Sequence, residues 1–341
     1  MKAICAFLVV CIHVPFPGEG GEYFTALTRI AVPIFFMITG YFYSTIVCRG
    51  KEAVQIKKVL ALNIKANTIF MVWKLVYSIA KGKDVLIKFL SETFSREAII
   101  RFLLFNDNQI GPHLWYLSAI LYVLVIVQVF NRWKLKKLLF YCTPLLLLVD
   151  LIFGKYSLLL LNREVPYYYV RNFAFVGIPY FSIGHLIYEK RSRIKEIGRK
   201  WFALETVIFS ATTVFERAFL ISIGKNAVRD HYLSTTFLAI SIFAFALLDE
   251  HKKSNSKGYV FLSLIGREYS TGIYILHPIF IAAFQVAFEV VGVFEVYKMV
   301  APIVVYLGTV VVLYIARSNS KKSKNNAKSL MSNGLEYVSG G

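Results

Sequence analysis

Ten apolar runs recur from end to end of the chain, at 3–17, 25–48, 62–80, 113–131, 135–153, 171–188, 202–222, 233–249, 268–291 and 298–316. A helix needs about 20 mostly apolar residues to cross the hydrocarbon core of a bilayer. The pattern therefore predicts an all-α fold: a polytopic transmembrane bundle of about ten spans, filling residues 1–316 as one domain. The first run is short and Met1 opens almost directly on it, so the span either starts at the bilayer edge or follows a few further natural residues. Lys2 before an apolar stretch is also how a signal peptide begins, but no small-x-small cleavage site follows His13-Val14-Pro15, which predicts a retained span.

The links complete the pattern. Residues 81–112 form the longest, with an amphipathic run from Phe89 to Leu104 predicted to lie along the outer surface. Residues 317–341, rich in Lys, Ser and Asn, read as a basic, disordered cytoplasmic tail. No repeat of fixed period is visible.

Composition supports a lipid environment. Hydrophobic residues make up 57% and charged residues 17%, against roughly 45–50% and about 25% in soluble domains. A net charge of +19 would point to nucleic acid in a soluble protein. Here the positive residues gather in short links such as the one holding Lys190, Arg191, Arg193 and Lys195. Alternate assignment of the links, with both termini inside, gives the inner side a roughly twofold excess of Lys and Arg. That predicts an N-in/C-in protein of the plasma membrane, with the bilayer and not nucleic acid as its partner. Cys5, Cys11, Cys48 and Cys142 form no CxxC pair and lie in or beside apolar runs, so they read as small buried residues, with neither a disulfide framework nor a metal site. Trp115, Trp133 and Trp201 fall at span ends, where an amphipathic ring favours the headgroup layer.

Ionisable groups inside apolar runs cost a few kcal/mol and mark candidate sites. Lys2 and His13 are eleven helical steps apart, about 20° past three full turns, so they share a face about 16 Å apart along the axis. Such a pair can line one cavity, with a cation near the cytoplasmic edge and an imidazole deeper in the bilayer, or can be a snorkelling lysine and a histidine bonded to a carbonyl. Glu216, with Arg217 beside it, lies mid-run and needs a partner from another helix, as a catalytic carboxylate or as half of an ion pair. His113 opens the fourth run ahead of Trp115 and Tyr116, and His277 precedes Pro278, which frees a carbonyl and bends its helix. His185 and Lys74 read as a packed histidine and a snorkelling lysine, and His231 and His251, in links, receive no role.

Five segments together resemble the acyltransferase-3 family of membrane proteins, in its order and over nearly the whole chain. They are Lys2 through His13, with ten residues between the basic residue and the histidine; Arg29 through Tyr41; His113 through Leu117; Arg171 with Pro179 through Gly184; and Ile273 through Pro278. Lys2 stands where the family usually has arginine, keeping the charge and losing the planar fork.

The resemblance implies a membrane O-acetyltransferase-like enzyme. It would move an acyl group, usually acetyl from acetyl-CoA, to a hydroxyl of a carbohydrate or related cell-envelope acceptor such as a polysaccharide. A neutral histidine can take the acceptor's proton, and His13 is the candidate base, with acyl-His as an open alternative. Lys2 and Arg171 are candidate donors to the oxyanion. Lys2, His13 and Glu216 are thus the candidate catalytic residues, and Arg171, His113, Trp115, Tyr116, Tyr274 and His277 the candidate binding residues. The rival class is a transporter or flippase for an envelope saccharide, which ten spans with buried charges would also suit.

Overall fold

Each of the ten apolar runs falls on helix. The computed structural model describes the backbone of residues 1–248 and 256–338, and side chains through Ser320; His251, with its neighbours Lys252 and Lys253, lies outside the described residues. In chain order the α-helices are α1 (Lys2–His13), α2 (Gly18–Thr28), α3 (Ala31–Cys48), α4 (Glu52–Lys81), α5 (Lys83–Thr93), α6 (Arg96–Phe105), α7 (Trp115–Arg132), α8 (Lys136–Phe153), α9 (Ser157–Leu160), α10 (Ile178–Glu189), α11 (Arg191–Ile197), α12 (Arg199–Ser222), α13 (Leu233–Leu247), α14 (Lys257–Leu264), α15 (Ser270–Val291) and α16 (Phe294–Val338). No strand occurs among the described residues.

Among the described residues, five helical stretches are long and apolar enough to cross a membrane: Gly18–Cys48, Glu52–Lys81, Pro112–Arg132, Lys257–Val291 and Phe294–Ser320. The other runs fold as helices too, but α1, α10 and α13 are shorter. α8 carries Lys136, Lys137 and Asp150, and α12 carries Glu205, Glu216 and Arg217. The link 81–112 is mostly helical: α5 and α6 are separated at Phe94, and the Ser95 hydroxyl caps α6 by accepting from the Ala98 N–H at 3.1 Å.

The chain divides into two units, Glu19–Lys253 and the pair of segments Lys2–Gly18 with Ser254–Gly341. The larger unit is built on the pairing of α3 with α10. The sequence provides for it with two glycines: a Cβ on Gly40 would strike the Phe181 carbonyl, and one on Gly184 the Met37 carbonyl. Small residues at such crossings let backbones touch, the usual device where lipid supplies no hydrophobic drive between helices. Ile34, Phe36 and Met37 of α3 and Tyr180 and Phe181 of α10 are buried around this crossing. His185, on the same helix, is the packed histidine its surroundings predict. Its ring stacks on Phe140, with Nδ1 2.8 Å from the Ser44 hydroxyl and Nε2 3.0 Å from Glu189.

In the smaller unit α1 packs against α15, α16 and a π-turn at Ile265–Tyr269. Gly266 leaves room for the opening of α1, where the Ala3 nitrogen and the Lys2 Cβ lie 3.1 and 3.4 Å from the position a Cβ would take. The Tyr306 hydroxyl donates to the Ala3 carbonyl at 3.0 Å, and its ring meets Phe7 edge-on. Cys5 and Cys11 are buried in α1, whereas Cys48 is exposed, against the expectation of a small buried residue there.

Candidate functional site

The predicted residues separate into two groups. In the smaller unit, His13 ends α1 as an exposed side chain, and its ring lies against that of His277, with centroids 4.8 Å apart and planes tilted by 49°. His277 is fully buried. Its Nδ1 is 3.0 Å from the Ile273 carbonyl and 2.9 Å from that of Tyr274. Pro278 has no N–H to offer the carbonyl four residues back, which is that of Tyr274, and the imidazole one residue earlier takes its place. A carbonyl only accepts, so Nδ1 carries the proton, and in the neutral ring Nε2 holds the lone pair. Tyr274 is itself buried, and Lys2 sits at the other end of α1 with its side chain exposed.

The larger unit holds Arg171, Trp115, Tyr116, His113 and Glu216. Arg171 and Trp115 are brought together: the guanidinium lies 5.3 Å from the Trp115 ring and 4.0 Å from that of Tyr167. Trp115 is therefore buried in packing, while Trp133 and Trp201 are exposed. Tyr116 packs on Phe35 and Phe36. His113, a candidate binding residue, is buried against the Phe70 ring, with centroids 4.5 Å apart. Glu216 turns to the start of α13: its carboxylate accepts from the Leu233 and Ser234 N–H groups at 3.1 and 3.2 Å and from the Ser234 hydroxyl at 2.6 Å. A carboxylate there satisfies helix-end donors and complements the dipole, which is a structural use of its charge. Arg217 reaches Glu22 at 2.7 Å.

Around Arg171 lies a cluster that the apolar pattern does not announce. Arg29 pairs with Asp230, and the Tyr167 hydroxyl donates to the other oxygen of that carboxylate. His231 Nδ1 is 2.9 Å from Asp150, and both residues are buried. Lys155, also buried, donates to the Ala227 carbonyl at 2.8 Å and lies 4.4 Å from the Tyr232 ring. Arg229 pairs with Glu164 at 3.5 Å. These side chains enclose a cavity of about 10 Å³, room for about one water.

Electrostatics follow from that crowding. Burial opposes ionisation of Asp230, but Arg29, His231, Arg171 and the Tyr167 hydrogen bond outweigh it and hold the carboxyl well below the usual range. Burial likewise disfavours a charged His231, yet the Asp150 carboxylate and Asp230 raise its pKa above the ordinary imidazole value. Burial, reinforced by Arg29, lowers Lys155 to about 7. Sequence reasoning passed over Asp230, Tyr167, Lys155, Asp150 and His231. The signals were an acid inside the 135–153 run and three consecutive ionisable residues, Arg229 to His231, between two apolar runs.

No curated protein and no solved structure matches the chain. A family model described as an acyltransferase domain matches residues 1–317, which takes in the α1 histidine, the α3–α10 glycines and the His277-Pro278 pair alike. With all-helical architecture and several helices apolar enough to span a membrane, this is a multi-pass membrane acyltransferase, and the chain belongs to the acyltransferase-3 family.

Proposed function

We propose that the enzyme transfers an acyl group, acetyl in the first instance, from acyl-CoA to a hydroxyl of a carbohydrate or other cell-envelope acceptor, with His13 as general base. The observation that carries this reading is the exposed His13 ring seated beside His277, in a chain of acyltransferase descent. In the step assigned to it, His13 takes the acceptor O–H proton as that oxygen attacks the thioester carbon. The tetrahedral intermediate collapses with cleavage of the C–S bond, and the CoA thiolate leaves with the proton that His13 returns.

His277 is a positioning residue in this reading. Its own ring is fixed by two carbonyls, and it gives the His13 imidazole a firm wall. Lys2 lies about 16 Å from His13 along α1, too far for one atom to touch both. We therefore assign Lys2 to the anionic nucleotide end of acyl-CoA and His13 to the reacting end. Glu216 has no part in the chemistry, because its oxygens serve the start of α13.

The enzyme is placed in the plasma membrane with ten spans and both termini inside. The support is the agreement of ten apolar runs with ten helical segments and the excess of basic residues on alternate links. Membranes containing the protein, supplied with radiolabelled acetyl-CoA, test the reaction: label is expected on an envelope glycan. Movement of an unmodified saccharide with no covalent label would overturn the reading in favour of a transporter.

A further inference from the structure

Within the larger unit, three helical stripes converge on a space that no side chain fills. α4 contributes Leu60, Asn63, Ile64, Asn67 and Thr68, α6 contributes Ala98, Ile99, Phe102 and Leu103, and α7 contributes Ser118, Leu121 and Tyr122. These spacings of one, three and four residues are those of core-facing positions, yet the cleft between them measures about 510 Å³. Protein interiors seldom leave voids larger than a water, and a cleft of this size falls in the range of small-molecule sites. Its apolar walls remain open: Ile64 is 58% exposed, Leu103 58% and Ile99 47%.

The floor is polar and uncharged. The Ile110 and Gly111 N–H groups donate to Asn108 Oδ1 at 3.0 and 3.1 Å, and Asn108 Nδ2 donates to Asn67 Oδ1 at 2.7 Å. Asn67 Nδ2 donates to the Asn63 carbonyl at 2.9 Å, and Asn63 Nδ2 to the Ser118 hydroxyl at 3.2 Å. A primary amide nitrogen has two protons. Among the described residues this ladder uses one on Asn63 and one on Asn108, leaving donors for an oxygen that enters the cleft. None of the lining residues carries a formal charge at neutral pH, so an ionic headgroup would be desolvated without a counter-charge.

We propose that this cleft binds an uncharged membrane amphiphile, one hydrocarbon chain ending in a hydroxyl, with the chain along Leu60, Ile64, Ile99 and Leu103 and the hydroxyl on the Asn63–Asn108 ladder. The site is independent of the chemistry assigned to His13. Helices α4 and α7 belong to stretches long and apolar enough to cross a membrane, which would open the cleft sideways to a lipid chain.

Photolabelling of the purified full-length protein tests this, with two probes of equal chain length: a diazirine-bearing octadecanol and the corresponding octadecyl phosphate. The alcohol is expected to label 60–68 and 98–103 in preference to exposed α12, and about tenfold more than the phosphate does. Ile99→Trp and Ile64→Trp, at exposed positions that tolerate bulk, are expected to lower alcohol labelling about tenfold, with elution on size exclusion confirming the fold. Equal labelling by both probes, label spread evenly over α12, or wild-type labelling in well-folded tryptophan variants would overturn the site.

Discussion

Two histidines of this molecule sit in opposite surroundings. His231 is buried, held to Asp150, and drawn into a cluster where Arg29, Asp230, Tyr167 and Arg171 neutralise and stack on one another. His13 ends its helix exposed, with the ring of a second histidine beside it. Ionisable groups at membrane depth are flagged as functional by default, and the contrast refines that rule. Groups whose charges are answered by buried neighbours hold segments together, while an exposed imidazole is the one to which we assign the chemistry.

The larger unit should break first when its charges are unpaired. Arg29→Met leaves Asp230 facing Tyr167 without its main counter-charge and is expected to cost about 3–5 kcal/mol of stability. Pairing it with Asp230→Leu should recover much of the loss, and thermal unfolding of the four members of that cycle measures the coupling. Additive losses would show that the ion pair is incidental. Gly184→Val tests the crossing below the cluster. Its side chain must displace the Met37 carbonyl and so separate α3 from α10, an overpacking cost of about 3 kcal/mol, read as a fall in Tm.

The smaller unit gives gentler responses. His277→Phe keeps a ring beside His13 but strands the Tyr274 carbonyl, at about 1–3 kcal/mol. As a positioning residue its loss should also shift the pH profile of acyl transfer, which a purely structural role would leave unmoved. Lys155, back in the larger unit, supplies the smallest effect. Its ammonium is disfavoured in the folded state, so between about 7 and 10.5 the unfolded chain binds the extra proton and stability rises with pH. Between about pH 7 and pH 8 the gain is about 1 kcal/mol at most, and Lys155→Met should abolish it.

How far the sequence reached also differs between the two regions. Helix positions were legible because apolar runs of spanning length fold the same way in any bundle, and α1 carries Lys2 and His13 on the helix the spacing predicts. The His277-Pro278 pair was legible as a place where a carbonyl loses its N–H partner, which follows from proline chemistry alone. The cluster around Asp230 was not, because Arg29 and Asp230 are 201 residues apart and no periodicity joins two loop ends. Glu216 was read as needing a partner, which was right, but only coordinates reveal that the partner is the start of α13. Trp115 was read only from its place at a span end, and its burial under Arg171 is a long-range contact that position alone does not reveal.

The central claim is that His13 takes the acceptor's proton, and His13→Ala tests it most directly. Acyl transfer from labelled acetyl-CoA and thermal unfolding would be measured on the same purified preparation. The account predicts a rate lower by about 10²–10⁴-fold with an unchanged Tm, since the side chain is exposed and its removal opens no core. Transfer at the wild-type rate by that variant would contradict it.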